Sequence, residues 1–176
     1  EFDFVSVIDP PFGTGIAAAA NGYVYVADCT NNRIQKFTSE GDFVAKWGTL
    51  GDGDGEFSSV RGVAVDQSGN VYATDDNNSV QKFTSDGKFL TRFGNPGYDA
   101  GQMQKPFDLS ISPNGKVYVA DTINHRIQVF SNGVPVSVSG PSKAIIVAGG
   151  GPNTDKNPNN LWEATTICTN SAYSAL

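Results

Sequence analysis

The chain has 176 residues, enough for a single domain with a sizeable core, and its 12 basic against 18 acidic residues give a net charge of −6 and a pI near 4.6. Nucleic-acid binding needs phosphate neutralisation, and no Lys/Arg cluster interleaves with aromatic residues, so nucleic acid is not an expected partner. No apolar run has the length of a membrane span, and two cysteines do not by themselves impose an oxidising compartment.

In chain order, the opening run Glu1-Phe2-Asp3-Phe4-Val5-Ser6-Val7-Ile8 is similar to Gly41-Asp42-Phe43-Val44-Ala45-Lys46-Trp47-Gly48. The sequence thus enters in the middle of a repeating pattern, without an initiating Met or a signal sequence, as a fragment or a processed piece would. The pattern itself is clearest in Gly22-Tyr23-Val24-Tyr25-Val26-Ala27-Asp28, which returns as Gly69–Asp75 and again as Gly115–Asp121, at intervals of 47 and 46 residues. Self-similarity at this period marks an architecture in which no unit buries its apolar face alone.

Each copy predicts four short strands. A first run (Gly15–Ala19, Gly62–Val65, Asp108–Ile111) ends in Asn21-Gly22, Ser68-Gly69 or Asn114-Gly115, and the shared heptapeptide follows as the second. Asn-Gly between alternating runs predicts a tight hairpin in which both turn residues take positive φ. A polar turn leads to the third run, ending at Phe37, Phe83 and Phe130, and the middle copy is one residue shorter there. Further turn signals, Ser39–Asp42, Ser85–Lys88 and Ser131–Gly133, precede the fourth runs Phe43–Trp47, Phe89–Phe93 and Val134–Val138. Four antiparallel strands in about 45 residues is the composition of a propeller blade.

With these residues in view, Asp121-Thr122-Ile123-Asn124-His125-Arg126-Ile127-Gln128-Val129-Phe130, preceded by Lys116–Ala120, resembles the core of an NHL repeat. Gly51-Asp52-Gly53-Asp54-Gly55-Glu56-Phe57 and Gly101–Pro106 are similar to the glycine-rich connections of that family. The resemblance covers roughly residues 1–138 and implies a β-propeller, commonly six-bladed, used as a platform for protein, peptide, glycan or nucleic-acid ligands. The expected fold is therefore all-β, a partial propeller of about three four-stranded antiparallel NHL blades. Such an arc has three ways to cover its ends: further parts of the same polypeptide, a second copy, or stacking of successive copies, of which the first is preferred.

Residues 139–142 read as a linker, and 143–176 as the start of a truncated α/β domain. Lys143–Gly151 predicts a buried strand running into a glycine-rich loop, and the spacing of Leu161, Ala164, Thr165, Cys168, Ala172 and Leu176 predicts a helix behind the N-cap Asn160. The run lacks the Lys-Ser or Lys-Thr of a phosphate-binding loop, and no cofactor is expected. Lys143–Gly151 with Leu161–Thr165 and Tyr173–Leu176 resembles the opening of a legumain-like, caspase-fold cysteine peptidase domain. The catalytic His and Cys that this resemblance implies would fall downstream, and nothing local to Cys168 supplies a base, so the chain reads as no enzyme.

The remaining candidates are Asp28 with Arg33 and Asp121 with Arg126, an ion pair or hydrogen bond that fixes the turn between the two middle strands. Asp75 has Ser79 where the others have Arg, so that pairing is missing in the middle copy. Asn77-Asn78-Ser79 fits an N-glycosylation acceptor. Asp52, Asp54 and Glu56 read as a solvated connection rather than a Ca²⁺ loop, and lone His125 lacks a second ligand for zinc. Cys29 and Cys168 are expected as free thiols, with a disulfide as the alternative.

The functional expectation is a non-catalytic interaction or assembly scaffold for protein, peptide or glycan, with self-association included. Its specificity would lie in the loops Pro10–Gly15, Thr49–Arg61 and Asn95–Phe107. The alternative is a propeller that positions substrate for a peptidase-like domain or another hydrolase. The Gly, Ser, Thr and Asn content, with 17% charged residues, suits an extracellular or cell-surface protein.

Overall fold

The computed structural model describes residues 13–136. β1 (Gly13–Ala18), β2 (Tyr23–Asp28), β3 (Arg33–Thr38) and β4 (Phe43–Trp47) form an antiparallel sheet in that order. β5 (Thr49–Leu50) and β6 (Glu56–Phe57) pair in parallel within the connection that follows. The plan then repeats: β7 (Val63–Val65), β8 (Val71–Asp75), β9 (Ser79–Phe83) and β10 (Phe89–Phe93) form the second sheet. β11 (Asn95–Pro96) and β12 (Gln102–Met103) form the second connection. β13 (Pro106–Ile111), β14 (Val117–Asp121), β15 (Arg126–Ser131) and β16 (Val134–Pro135) form the third sheet. These are three consecutive four-stranded blades, as the repeat predicts.

The hairpin turns differ from the expectation at most positions. Gly22 has φ 83°, but Asn21 is not in the left-handed region; Gly22 N–H donates to Ala19 O at 3.0 Å, and Ala19 N–H to Tyr23 O at 2.8 Å. This is a turn closed by one left-handed glycine with a bulge, and the same bonds recur at Asp66–Asn70 and Ser112–Lys116. The extra residue relieves Asn21, Ser68 and Asn114 of positive φ. Among the described residues only Asn132-Gly133, at φ 52° and 77° between the paired Ser131 and Val134, makes the two-residue turn with both residues left-handed.

The pleat gives each blade two distinct faces. On one, Tyr25 pairs with Lys36 and Ala27 with Ile34; the corresponding pairs are Tyr72 with Lys82 and Thr74 with Val80, then Tyr118 with Val129 and Ala120 with Ile127. On the other, Val24 pairs with Phe37, Val71 with Phe83, and Val117 with Phe130. The Tyr face of one blade packs on the Val/Phe face of the next. Tyr25, Ala27 and Ile34 meet Val63, Val71, Ala73 and Phe83, with Phe57 and Val60 of the connection completing the cluster. Tyr72 and Val80 likewise meet Leu109, Val117, Val119 and Phe130, with Met103 in the place of Phe57. The Phe57 and Phe83 rings lie 5.7 Å apart, and those of Phe93 and Phe130 4.9 Å apart.

The first strands of successive blades, β1, β7 and β13, run side by side. Close approach depends on glycine here: a Cβ on Gly15 would stand 2.7 Å from Arg61 O, and one on Gly62 would stand 2.8 Å from Asp108 Cα. Among the described residues no helix is long and apolar enough to cross a membrane. The strand and helix expected at 143–176, with Cys168, lie outside the described residues.

Candidate functional site

β1 begins opposite the end of β2, with Gly13 facing Asp28, and β4 ends with Trp47 facing Ile34. The turn after the second strand of each blade and the blade-to-blade connections therefore share one face of the molecule. Beneath that face lies a repeated polar frame. Asp28, fully buried, accepts from Asn31 Nδ2 at 3.0 Å, Arg33 Nε at 2.7 Å and Gln35 Nε2 at 3.0 Å. Asp121, also fully buried, accepts from Gln104 N–H at 2.7 Å, Asn124 Nδ2 at 2.8 Å, Arg126 Nε at 2.8 Å and Gln128 Nε2 at 2.9 Å. The Asp-to-Arg pairing read from the sequence is present in both copies.

Arg126 also reaches the preceding connection, donating to the carbonyls of Tyr98, Asp99 and Gln102 at 2.7 to 2.8 Å. The middle copy solves the same problem differently. Asp75 accepts from Ser58 N–H at 3.2 Å, Asn77 Nδ2 at 2.9 Å and Ser79 Oγ at 3.3 Å, and no cation faces it among the described residues. Burial pushes its carboxyl up to about 6, against the lowering effect of those three donors. The guanidinium missing at Ser79 comes instead from β10, where Arg92 donates to Asp52 O and lies 3.9 Å from Asp54.

The glutamines are the frame members that sequence reasoning missed. Gln81 donates to Glu56 O at 2.6 Å and accepts from Gly55 N–H at 2.8 Å; Gln128 donates to Gln102 O at 2.6 Å and accepts from Gly101 N–H at 2.9 Å. Their signal was available, since Gln follows Ile34, Val80 and Ile127 in the three copies. Asn32, Asn78 and His125 all hold the left-handed turn position, with φ of 52°, 64° and 51°. Asn32 Oδ1 accepts the N–H of Ser59 at 2.7 Å, and Asn78 Oδ1 that of Lys105 at 2.8 Å, so each turn clips the entry to the next blade.

The other candidates have structural surroundings. Asn77 Nδ2 is engaged by Gly51 O at 2.8 Å as well as by Asp75, inside the turn where the glycosylation sequence falls. Glu56 folds back on its own loop, accepting from Gly53 N–H at 3.0 Å, and does not converge with Asp52 and Asp54. Among the described residues no three His, Cys, Asp or Glu side chains gather as a metal site. Cys29 is a half-buried thiol. Of the loop Pro10–Gly15, Gly13–Gly15 belong to β1, and the rest lies outside the described residues.

Over the frame, the surface is varied. Arg61 holds Asp76 through Nε at 3.1 Å and an Nη atom at 2.7 Å, and its guanidinium stands 5.5 Å from the Phe107 ring. Leu50, Tyr98, Phe107 and Ile123 are 49 to 73% exposed, all on this face. Between the second and third blades, Asp76, Asn78, Pro96, Gln104, Lys105 and Ile123 line a depression of about 370 Å³.

The NHL repeat model matches residues 14–37 and 103–130. No curated protein matches the chain. Among solved structures, virginiamycin B lyase from Staphylococcus aureus is similar at 20% identity and a TM-score of 0.53, with 68% of this chain and 38% of that one covered. A streptogramin B lyase is similar at 21% identity and a TM-score of 0.54, covering 74% and 41%. Hydrazine synthase of Kuenenia stuttgartiensis is similar at 15% identity and a TM-score of 0.57, covering 73% and 35%. The chain thus spans well under half the length of these structures, and at such identities the likeness is one of fold. The two stretches that match the NHL repeat lie in the two copies that retain the Asp-to-Arg pair, and the blades they build are those of a β-propeller.

Proposed function

We propose that the chain is a non-catalytic binding scaffold for proteins, peptides or glycans, and that its ligands engage the face carrying the turns and connections. The observation that carries this reading is the pairing of a repeated polar frame, in which Asp and Gln recur in all three copies, with a variable, apolar cover. Buried Asp and Gln side chains fix the backbone of each connection, while Leu50, Tyr98, Phe107 and Ile123 stand in solvent above it. Exposed apolar groups clustered on one face, on turns, connections and a strand start held from below, suit ligand contact at low ordering cost. An extracellular or cell-surface setting belongs to the same proposal and rests on composition together with the NHL resemblance.

The test is a screen of the immobilised chain against peptide and glycan arrays, repeated with Tyr98→Ser and Phe107→Ser. Ligands should lose about tenfold or more in affinity with either change and keep it with Leu90→Ser on the outer strand of the second blade. A ligand indifferent to both face substitutions would overturn the placement.

A second reading, self-association, is favoured by the third blade. Its Tyr face presents Tyr118, Ala120, Ile127 and Val129 half-buried, whereas Tyr25, Ala27 and Ile34 in the same places of the first blade are fully covered. The hydrolase-accessory alternative rests on residues 143–176, and the described residues add nothing to it.

A further inference from the structure

We propose that the depression between the second and third blades is a subsite for a peptide C-terminus, which takes a free carboxylate together with an apolar last side chain. This deepens the binding-scaffold reading and rests on it. The first support is a comparison within the chain. Ser58 and Ser59 at the first connection, and Gln104 and Lys105 at the second, give the frame the same thing, their backbone N–H groups, donated to Asp75 and Asn32 and to Asp121 and Asn78 respectively. The frame therefore makes no use of the Gln104 and Lys105 side chains. Lys105 at φ 47° and Ser59 at φ 55° share the left-handed backbone that this position requires, so the two connections differ here in the side chain alone.

The second support is the donor count. Asp76, the one carboxylate among the lining residues, already has both oxygens engaged by Arg61. Asn78 Oδ1 is taken by Lys105 N–H, so its Nδ2 remains to donate, beside the Gln104 amide and the Lys105 ammonium, which forms no salt bridge among the described residues. A depression with this surplus of donors, one of them charged, selects an anionic acceptor with two oxygens. Pro96 and Ile123 supply the apolar wall, with Ile123 half-exposed. At about 370 Å³ the space lies near the lower end of small-ligand pockets, which run from about 300 to 1,000 Å³, and admits a terminal residue rather than a long segment.

The experiment uses the 176-residue chain and fluorescein-labelled pentapeptides, Gly-Ser-Gly-Ala-X, with X varied over Leu, Ile, Phe, Ser and Lys. Each is made as the free acid and as the C-terminal amide, and a set of internal peptides capped at both ends is run beside them. Fluorescence polarisation should show the free acids ending in Leu, Ile or Phe binding about tenfold or more tightly than their amides. Lys105→Met, which keeps the length and the backbone strain but removes the charge, should abolish that difference, and Ile123→Ser should abolish the preference for an apolar last residue. Equal binding of acid and amide, or a preference that survives Lys105→Met, overturns the proposal. Binding confined to capped internal peptides also overturns it but leaves the scaffold reading standing. No binding by any peptide at about 1 mM overturns the subsite, and if glycan arrays are silent as well, the scaffold reading falls with it.

Discussion

Asp75 and its two counterparts show how one carboxylate position can carry opposite electrostatics. Asp28 and Asp121 each keep an arginine at 2.7 to 2.8 Å, whereas Asp75 is 1% exposed and has only neutral donors. A folded-state pKa raised to about 6 means that the folded protein binds this proton more tightly than the unfolded chain does. The resulting stability is fully present below the unfolded value near 3.8 and is lost as pH rises through about 6. Asp66 works in the opposite sense. Burial raises its pKa, but Asn70, Ser68 and Lys82 outweigh burial and hold it below the usual carboxylate range, so its contribution is lost in acid. The effect of Asp75 is isolated by difference: Asp75→Asn should be more stable than the native chain by about 2 kcal/mol at pH 8, with the gap closing toward pH 4 in urea titrations. A gap independent of pH would refute this.

The same comparison predicts that Ser79→Arg, restoring the residue found at Arg33 and Arg126, removes the loss of stability that the native chain shows as pH rises from about 3.8 through about 6. In the first and third blades, Asp28→Ala and Asp121→Ala should each cost about 3 kcal/mol, since the buried amides of Gln35 or Gln128 and the arginine lose their shared acceptor. Thermal unfolding measures both. The Asp-to-Arg spacing was legible in the sequence because the turn between them is short and local. The Gln contacts were not, because they join residues 25 to 26 apart and form only once the connection lies over the sheet.

Among the elements, the hairpins and the inner strands make different demands on glycine. Gly22 has open space around it, and its φ of 83° is the whole of its requirement, so Gly22→Ala should cost about 1 kcal/mol. Gly62 is in β-strand surroundings, but its missing side chain admits Asp108, whose Cα and Oδ1 would both stand 2.8 Å from a Cβ. Backbone cannot yield as a side-chain tip can, so Gly62→Ala should cost about 2 kcal/mol or more and loosen the packing between the second and third blades. Equal losses for the two variants in chemical denaturation would show that the inner strands are not limited by this approach. The period of the strands was readable from alternation alone. The turn geometry was not, because Asn-Gly suits two turn types, and the bonds from Ala19 to Tyr23 and from Gly22 to Ala19 select the bulged one.

At the scale of the molecule, each blade offers a Tyr face and a Val/Phe face, and every internal junction joins one to the other. Lys36 reinforces the first junction by donating to Ser85 O at 3.0 Å while standing 4.0 Å from the Tyr23 ring centre. The third blade has Val129 at the position of Lys36 and Lys82, so its Tyr face is more apolar than the two that are covered. If self-association uses this face, sedimentation equilibrium should show a concentration-dependent oligomer that Ile127→Glu returns to monomer with its blade spectrum unchanged. A folded native chain that stays monomeric at all concentrations would exclude it.

Sequence alone determined the period, the four strands per copy, their alternation, and the Asp, Arg and turn residues placed between them, because each of these depends on neighbours a few residues apart. The tertiary structure alone decided that Asp75 is buried without a cation, that Arg92 reaches the connection left unheld by Ser79, and that Gln104 and Lys105 spend only their backbones on the frame. These follow from contacts between blades and connections distant in the chain. The physical reason is that a repeat writes its local geometry into every copy, whereas burial, charge pairing and free donor groups are set by what the neighbouring copy brings.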